Sequence, residues 1–164
     1  MILIADAAPV IFLAKIGQLS LIDQLLDAEV LIPSVVKKEI LSPDVPPAEE
    51  LLLTGFFSEC KIIDVDVPVE YAKSLSFADN SVLTLAKREQ ADLVLSDDRL
   101  LRRIVTMGGF RSKVIGTIGI LIQAAMGDLL SADAATDLLG QLIRDHNFRI
   151  SIDVYEAARR ALSV

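Results

Sequence analysis

The sequence predicts an α/β fold, a three-layer α/β/α sandwich with a central, mostly parallel sheet. Two observations predict this class. Short apolar runs alternate along the chain with longer segments of helical periodicity, and this strand-then-helix order is typical of parallel sheets covered by helices on both faces. Hydrophobic residues make up 52% of the 164 residues and aromatic residues only 5%, which is the aliphatic composition of a sheet buried on both faces.

The first part of the chain is predicted to contain three strands and three helices. Gly17 is expected to end the first helix, and Pro33 suits the first turn of the third because its missing N–H has no partner there. Pro43, Pro46 and Pro47 are then expected to break the chain. The predicted elements are a strand at 2–5, helices at 8–16 and 19–26, a strand at 30–32, a helix at 33–41 and a strand at 62–65.

The second part continues the alternation and ends in helices. Gly108 and Gly109 are expected to end the helix that follows the fourth strand. The predicted elements are a helix at 76–88, a strand at 93–96, a helix to about 107, a strand at 114–116 and helices at 117–126, 132–143 and 154–162. We expect a single domain over residues 1–164, with core motifs in 2–125 and a helical C-terminal part at 126–164.

Charge and cysteine content restrict the class of protein. The net charge of −7 argues against a broad electrostatic grip on nucleic acid, although an acidic metal site is negative until its cations arrive. The only cysteine, Cys60, excludes an internal disulfide and suits a reducing cytoplasm. The N-terminus does not have the pattern of a signal peptide, and no apolar run reaches the roughly 20 residues of a membrane span. We therefore expect a soluble, cytoplasmic protein with no membrane partner.

Acidic residues fall where the predicted sheet would bind a ligand. Asp6 directly follows the first strand, and Asp97 and Asp98 directly follow the strand at 93–96. The carboxyl ends of parallel strands open on the same edge of a sheet, where ligands bind. Glu39 and Asp79 lie in helices that are expected to begin near that edge. Four separate segments can thus direct carboxylates into one crevice.

Clustered carboxylates repel one another unless cations lie between them. Mg²⁺ and Mn²⁺ prefer oxygen ligands, usually a few carboxylates with waters and substrate phosphate. Such a metal lowers the pKa of bound water, and two metals about 4 Å apart can hold both the attacking and the leaving oxygen of a phosphodiester. The sequence therefore predicts a divalent-metal site whose catalytic and metal-binding candidates are Asp6, Glu39, Asp79, Asp97 and Asp98.

Each of these acids also has a purely structural interpretation. Asp6, Asp97 and Asp98 are residues typical of helix N-caps. Asp79 lies three positions after Ser76, which is the pattern of a capping box. Glu39 could be a solvated charge on its helix. Both interpretations stay open for each acid.

Basic residues follow the acidic pair on the predicted helix after the fourth strand. Arg99 is three and four positions from Arg102 and Arg103, so that these side chains can share a helix face. They are candidates for holding substrate phosphate, and the alternative is a solvated helix face. The only histidine, His146, is expected in a surface loop, and Cys60 has no catalytic context. A mechanism that depends on histidine or cysteine is therefore poorly supported.

The acidic segments together resemble the PIN-domain family. Residues 2–11 are similar to the opening strand and first acid of that family, and residues 32–40, 78–86 and 93–99 are similar to its second, third and fourth acidic motifs. The segment 116–121, Gly-Thr-Ile-Gly-Ile-Leu, resembles a bacterial and archaeal branch of it. The resemblance runs from residue 2 to about residue 125.

The resemblance implies a PIN-like sandwich and a Mg²⁺- or Mn²⁺-dependent endoribonuclease, a hydrolase of phosphodiester bonds that cuts single-stranded RNA. Carried over by position, Asp6, Glu39, Asp79 and one of Asp97 or Asp98 would hold metal, and the spacing to Arg99 favours Asp98. Many members of the family are toxins of toxin–antitoxin pairs and are dimeric. The resemblance therefore also implies a small antitoxin partner and a homodimer.

Two positions depart from the family pattern. Ala8 stands where a hydroxyl residue often follows the first acid by two positions, and Asp79 stands where this branch often has the longer Glu. A lost hydroxyl would weaken the support of a metal ligand, which favours an alternative function, a PIN-fold module with weak catalysis that binds RNA or a protein partner. A phosphoacceptor domain is a third alternative, but its expected lysine would follow a late strand, whereas Lys113 precedes the strand at 114–116.

Overall fold

The computed structural model describes residues 1–163 and contains a five-stranded parallel sheet, which confirms the predicted fold class. Val164, the last residue of the predicted helical C-terminal part, lies outside the described residues. The strands are β1 (Ile2–Ala5), β2 (Glu29–Pro33), β3 (Lys61–Ile63), β4 (Leu93–Leu95) and β5 (Lys113–Ile115). They are arranged in the order β3-β2-β1-β4-β5, and all four pairings are parallel.

This strand order creates a switch point between β1 and β4. The chain moves outward from β1 to β2 and β3, then returns to place β4 on the other side of β1, and continues outward to β5. At such a point the connections after the two strands diverge and open a crevice beyond their carboxyl ends. Ala5 pairs with Leu95 in register, so the next residues, Asp6 and Ser96, lie side by side at this crevice.

Helices pack around the sheet in two groups. Those found within residues 1–163 are α1 (Ala7–Lys15), α2 (Leu21–Leu26), α3 (Ser34–Ile40), α4 (Pro47–Ser58), α5 (Phe77–Arg88), α6 (Arg99–Met107), α7 (Thr117–Met126), α8 (Ala132–Asp145) and α9 (Ile152–Leu162). Helix α5 packs on β1 and β2 and contacts α6, whereas α1 and α2 contact α7, which in turn contacts α8 and α9. No helix of the described chain is long and apolar enough to cross a membrane.

The core is aliphatic, as the composition predicts. Leu3, Ile4 and Ala5 of β1 and Val94 and Leu95 of β4 have no exposed surface. Complete burial of such a Leu, Ile or Val side chain stabilises the fold by about 1.5–3 kcal/mol. The two strands that frame the crevice are thus the most completely buried part of the sheet, and they hold its lining residues on a rigid base.

Prolines account for the main errors in the predicted elements. Pro33 is not in the first turn of α3 but is the last residue of β2, with an extended ψ of 138°, because the strand continues up to the helix without a loop. The break expected at all three later prolines is also partly wrong. Pro43 and Pro46 lie in the connection, but Pro47 is the first residue of α4, a position where the missing N–H of proline is tolerated.

Candidate active site

Asp6 is the buried centre of the switch-point crevice. It directly follows β1 and is the N-cap of α1, where its Oδ1 accepts a hydrogen bond from the Ala7 N–H at 2.8 Å. Its Oδ2 accepts a hydrogen bond from the Ser96 hydroxyl at 2.9 Å. Only 6% of Asp6 is exposed. The predicted capping role is confirmed, and the carboxylate also contacts the neighbouring strand end.

Electrostatics connect Asp6 to two of the other predicted acids. Burial raises the pKa of Asp6 from 3.8 to about 6, although the hydrogen bonds from Ser96 and Ala7 act to lower it. The value of about 6 also includes smaller increases caused by the negative charges of Asp79 and Glu39. Acids from three separate segments are therefore close enough to repel one another, which is the condition that a bound cation relieves.

Asp79 and Glu39 approach this crevice from two helices. Asp79 forms the predicted capping box at the start of α5: its Oδ2 accepts from the Ser76 N–H at 2.9 Å, and the Ser76 hydroxyl accepts from the Asp79 N–H at 3.0 Å. This use leaves its Oδ1 for another partner. Glu39 is exposed near the end of α3 and lines a cavity of about 200 Å³ with Lys15 and Asp44. Neither acid is as buried as Asp6.

Asp97 is bonded to the start of α7. Its Oδ1 accepts a hydrogen bond from the Thr117 N–H at 2.7 Å, and its Oδ2 accepts one from the Thr117 hydroxyl at 2.6 Å. Burial raises the pKa of Asp97, while these bonds and the charge of Arg102 lower it. A Cβ at Gly116 would lie 2.5 Å from Asp97 Oδ1, so the approach of the carboxylate requires glycine at that position.

Asp98 caps the next helix and is linked to Asp6 through one hydroxyl. Its Oδ1 accepts from the Leu101 N–H at 2.7 Å at the start of α6. Its own N–H donates to the Ser96 hydroxyl at 3.2 Å, the same hydroxyl that donates to Asp6. Adjacent acids thus have different surroundings: Asp97 faces β5 and α7, whereas the Asp98 backbone is tied to the Asp6 side.

The donor chemistry of the crevice fits a hard cation. Every candidate ligand is a carboxylate or hydroxyl oxygen, which suits Mg²⁺ or Mn²⁺ better than softer metals. Within residues 1–163, no three His, Cys, Asp or Glu side chains converge closely enough to hold one ion by themselves. Mg²⁺ is commonly held by only one or two carboxylates, with waters and substrate phosphate completing its coordination. The residues therefore fit such an ion without forming a complete cage.

Two hydroxyl residues contribute to the site and were not predicted. Ser96 and Thr117 are both fully buried and donate to Asp6 and Asp97 respectively. The sequence carries a weak signal for both, because each occurs where a strand ends and a helix is about to begin. Their importance follows only from the pairing of β1 with β4 and of β4 with β5.

The three candidate phosphate-binding arginines have different positions. Arg99 Nη2 lies 3.5 Å from the Ser151 hydroxyl, and Arg102 Nη1 donates to the Val114 carbonyl at 3.0 Å. Both line a cavity of about 630 Å³ that also contains Asp97. Arg103 is exposed and does not line it. The shared helix face is thus observed for Arg99 and Arg102, three positions apart.

Fold and crevice together define an α/β protein with an acidic site at the switch point of an open parallel sheet. A family model described as PIN domain matches residues 2–163, and the chain therefore belongs to the PIN-domain family, which has a nuclease-type fold. The match continues well past residue 125, where the resemblance seen in the sequence ends, and includes α8 and α9. No curated protein matches the chain.

Proposed function

We propose that this protein is a Mg²⁺- or Mn²⁺-dependent endoribonuclease that cleaves single-stranded RNA. The observation that carries the proposal is the buried Asp6 carboxylate, whose pKa is raised by burial and by the charges of Asp79 and Glu39. A buried anion beside two like charges is unfavourable unless a cation or another function offsets its cost. Membership of a family with a nuclease-type fold supports the same conclusion.

The proposed roles follow from the contacts of each side chain. Asp6, Asp79 and Glu39 would share the metal, in part through bound waters, since no three acids of residues 1–163 converge on one ion by themselves. Ser96 orients Asp6 by donating to its Oδ2. The metal, when bound, supplies a water of lowered pKa and positive charge beside the phosphodiester. Asp98 is the better fourth ligand, since only its Oδ1 is used as a cap, whereas both oxygens of Asp97 accept from Thr117.

An RNA cleavage assay tests this proposal. Fluorescently labelled single-stranded RNA is incubated with the wild type in Mn²⁺, in Mg²⁺ and in excess EDTA. Asp6→Asn is the active-site variant, and Asp133→Asn, an exposed acid at the start of α8, is the matched control. We expect cleavage by the wild type and the control, none in EDTA, and a loss of roughly 100-fold or more in Asp6→Asn, since even residues that only support a metal ligand contribute about 10–100-fold. Cleavage that survives EDTA or persists in Asp6→Asn would contradict the mechanism.

The biological role that we propose is that of a cytoplasmic toxin in a toxin–antitoxin pair. This part rests on the resemblance of the four acidic motifs to those of toxin ribonucleases, and it includes a small antitoxin partner and a homodimer. Expression of the wild type alone should slow growth, and co-expression with the product of the neighbouring gene should restore it. Sedimentation of the purified chain measures its oligomeric state. Unimpaired growth on expression of an active nuclease would exclude the toxin role.

A second candidate function is an RNA- or protein-binding module with weak catalysis. It is favoured by the structural use of Asp79, Asp97 and Asp98 at helix starts and by the absence of a hydroxyl at Ala8. Folded wild type that binds RNA but does not cleave it in Mn²⁺ would favour this function over the nuclease.

A further inference from the structure

A cation-lined groove runs along the edge strand β5. The cavity of about 630 Å³ lies between β5, the start of α6 and the segment that connects α8 to α9. Four basic side chains line it, namely Arg99, Arg102, Lys113 and Arg149, and we call it the β5 groove. Only Arg99 and Arg102 are among the basic residues that the sequence indicated, while Lys113 and Arg149 come from β5 and from the α8–α9 connection.

None of these four cations forms an ion pair within 4 Å in the described chain, although the charge of Arg102 acts to lower the pKa of Asp97. The ion pairs within residues 1–163 use other cations, namely Lys15, Lys61, Arg88 and Arg111. All four groove cations are exposed, and the only acid of residues 1–163 that lines the groove, Asp97, already accepts two hydrogen bonds from Thr117. In a chain of net charge −7, this is a local concentration of the opposite charge, and it is available to an anion.

The edge of β5 does not favour an added peptide strand. Lys113 N and Ile115 O bond to the β4 side, so the N–H and C=O of Val114 between them point outward. The Arg102 guanidinium donates a hydrogen bond to this Val114 carbonyl at 3.0 Å. A basic side chain across an edge strand is a common protection against strand addition, which leaves side-chain recognition of a polyanion as the better use of the groove.

The floor between the cations is apolar. It includes Ile118 of α7 and Ile150 of the α8–α9 connection, both half-buried. Apolar surface between cations suits riboses and the faces of unpaired bases, which a duplex does not expose. The groove also includes Asp97, and the adjacent Ser96 is hydrogen-bonded to Asp6.

We propose that the β5 groove binds the phosphates of single-stranded RNA on one side of the bond to be cleaved, with Lys113 and Arg149 as phosphate ligands. This inference rests on the proposed function, because it extends the substrate path of the same site. The groove cations supply the positive charge that the whole chain lacks, and a strand held along β5 from Lys113 to Gly116 would pass Asp97.

Salt dependence of RNA binding tests the groove separately from cleavage. Affinity of a fluorescein-labelled oligouridylate is measured by anisotropy in EDTA, for the wild type, for the double variant Lys113→Gln/Arg149→Gln, and for Arg160→Gln at the exposed end of α9 as a control. Each phosphate contact contributes about −0.7 to the slope of log K against log salt for a single strand. Four contacts predict a slope of about −2.8 and roughly a 50-fold loss of affinity between about 50 and 200 mM salt. The double variant should show about −1.4 and roughly a 7-fold loss, and the control should match the wild type.

Three results would overturn the inference, and they separate it from the proposed function. If the double variant binds with the wild-type slope while the wild type cleaves RNA in Mn²⁺, the groove assignment fails and the nuclease stands. If the wild type neither binds nor cleaves RNA, both fail. If an oligoglutamate peptide binds more tightly than the oligouridylate and loses affinity in the double variant, the groove takes an acidic peptide instead. A smaller slope of log K against log salt for oligouridylate binding in the double variant, with an unchanged slope in Arg160→Gln, supports the inference.

Discussion

The hydroxyl of Ser96 donates to the Asp6 carboxylate at 2.9 Å across 90 residues of sequence. Both residues are buried, and the bond spans the two strand ends at the switch point. The same hydroxyl accepts the N–H of Asp98 at 3.2 Å. One side chain therefore fixes the first acid of the site and the start of α6, so the geometry of the crevice depends on a residue that cannot itself be a catalytic acid.

Removal of this hydroxyl should destabilise the protein in a pH-dependent way. Ser96→Ala leaves an ionised, buried oxygen without its donor, and we expect the free energy of unfolding to fall by about 1.5–3 kcal/mol near neutral pH. The loss should shrink at about pH 5, where Asp6 is protonated, because a hydrogen bond to a neutral carboxyl contributes less. Urea unfolding at both pH values measures it.

Ser81→Ala is the matched control for that experiment. Ser81 is equally buried, but its hydroxyl donates to the Phe77 carbonyl at 2.7 Å within the same helix, and no charge is involved. Its loss should be about 0.5–1.5 kcal/mol and should not change between the two pH values. Equal pH dependence in both variants would show that the Ser96 bond does not depend on the charge of Asp6.

Because its pKa is raised in the folded protein, the ionised Asp6 carboxylate destabilises the folded state. The folded protein holds this proton with a pKa of about 6, against 3.8 for an ordinary Asp. Between these values the folded state binds more protons than the unfolded state. The free energy of unfolding therefore increases as the pH falls through 6 and Asp6 becomes protonated. The cost is fully present above the folded pKa and is relieved below it.

Asp6→Asn should therefore stabilise the metal-free protein near neutral pH. We expect a gain on the order of 1 kcal/mol, because the relieved charge is partly offset by a weaker bond to Ser96, while Asn caps a helix about as well as Asp. The gain should be smaller at about pH 5. Urea unfolding in EDTA checks it, and a gain that grows as the pH falls would contradict the assignment of the raised pKa to Asp6.

The close approach of Asp97 to Gly116 predicts a severe effect of a single methyl group. A Cβ at position 116 would lie 2.5 Å from Asp97 Oδ1 and 3.2 Å from the Ser96 carbonyl oxygen. Gly116→Ala should displace the carboxylate from Thr117 and lower the free energy of unfolding by about 1–3 kcal/mol. Gly55→Ala in α4 is the control, since a Cβ added there would have no atom outside its own helix backbone within 4 Å. Its free energy of unfolding should increase by about 0.5–1 kcal/mol. Thermal unfolding compares the two, and a neutral Gly116→Ala would contradict the close contact between Asp97 and this glycine.

Cys60 should be unreactive in the folded protein. The pKa of its thiol is raised to about 12, mainly by burial and to a smaller extent by the charges of Asp23 and Glu59. The thiolate is the reactive form, so iodoacetamide at about pH 8 should alkylate the native protein far more slowly than the urea-unfolded chain. Equal rates would show that the thiol is accessible and ionised, contrary to its surroundings.

The positions of the acids could be predicted from sequence, but their contacts could not. Asp6 and the Asp97–Asp98 pair follow apolar runs, and parallel strands bring such ends to one edge whatever the strand order. The Ser96–Asp6 bond depends on β4 lying beside β1, which no local pattern specifies. Likewise, the spacing to Arg99 favours Asp98 as the ligand, but only the structure shows that Asp97 faces Thr117.

Helix α4 shows a second reason for incomplete prediction. Pro43, Pro46 and Pro47 stand close together and indicate a turn, yet the last of them begins a helix that runs to Ser58. Proline can end one helix and begin another, and its effect depends on whether its N–H would have had a partner.

The PIN-domain match beyond residue 125 was missed because the acidic motifs that carry the resemblance all lie before it.

Metal-dependent stabilisation tests the central claim, that the Asp6 crevice binds a divalent cation, most directly. Thermal and urea unfolding are measured in EDTA and in saturating Mn²⁺ for the wild type, Asp6→Asn, Asp79→Asn and the control Asp133→Asn. Mn²⁺ at about 100 times its dissociation constant should stabilise the wild type and the control by about 2.7 kcal/mol. The same addition should have a much smaller effect on Asp6→Asn and Asp79→Asn, because each has lost a ligand. If Mn²⁺ stabilises all four proteins equally, or stabilises none of them, these acids are not metal ligands and the proposed site is contradicted.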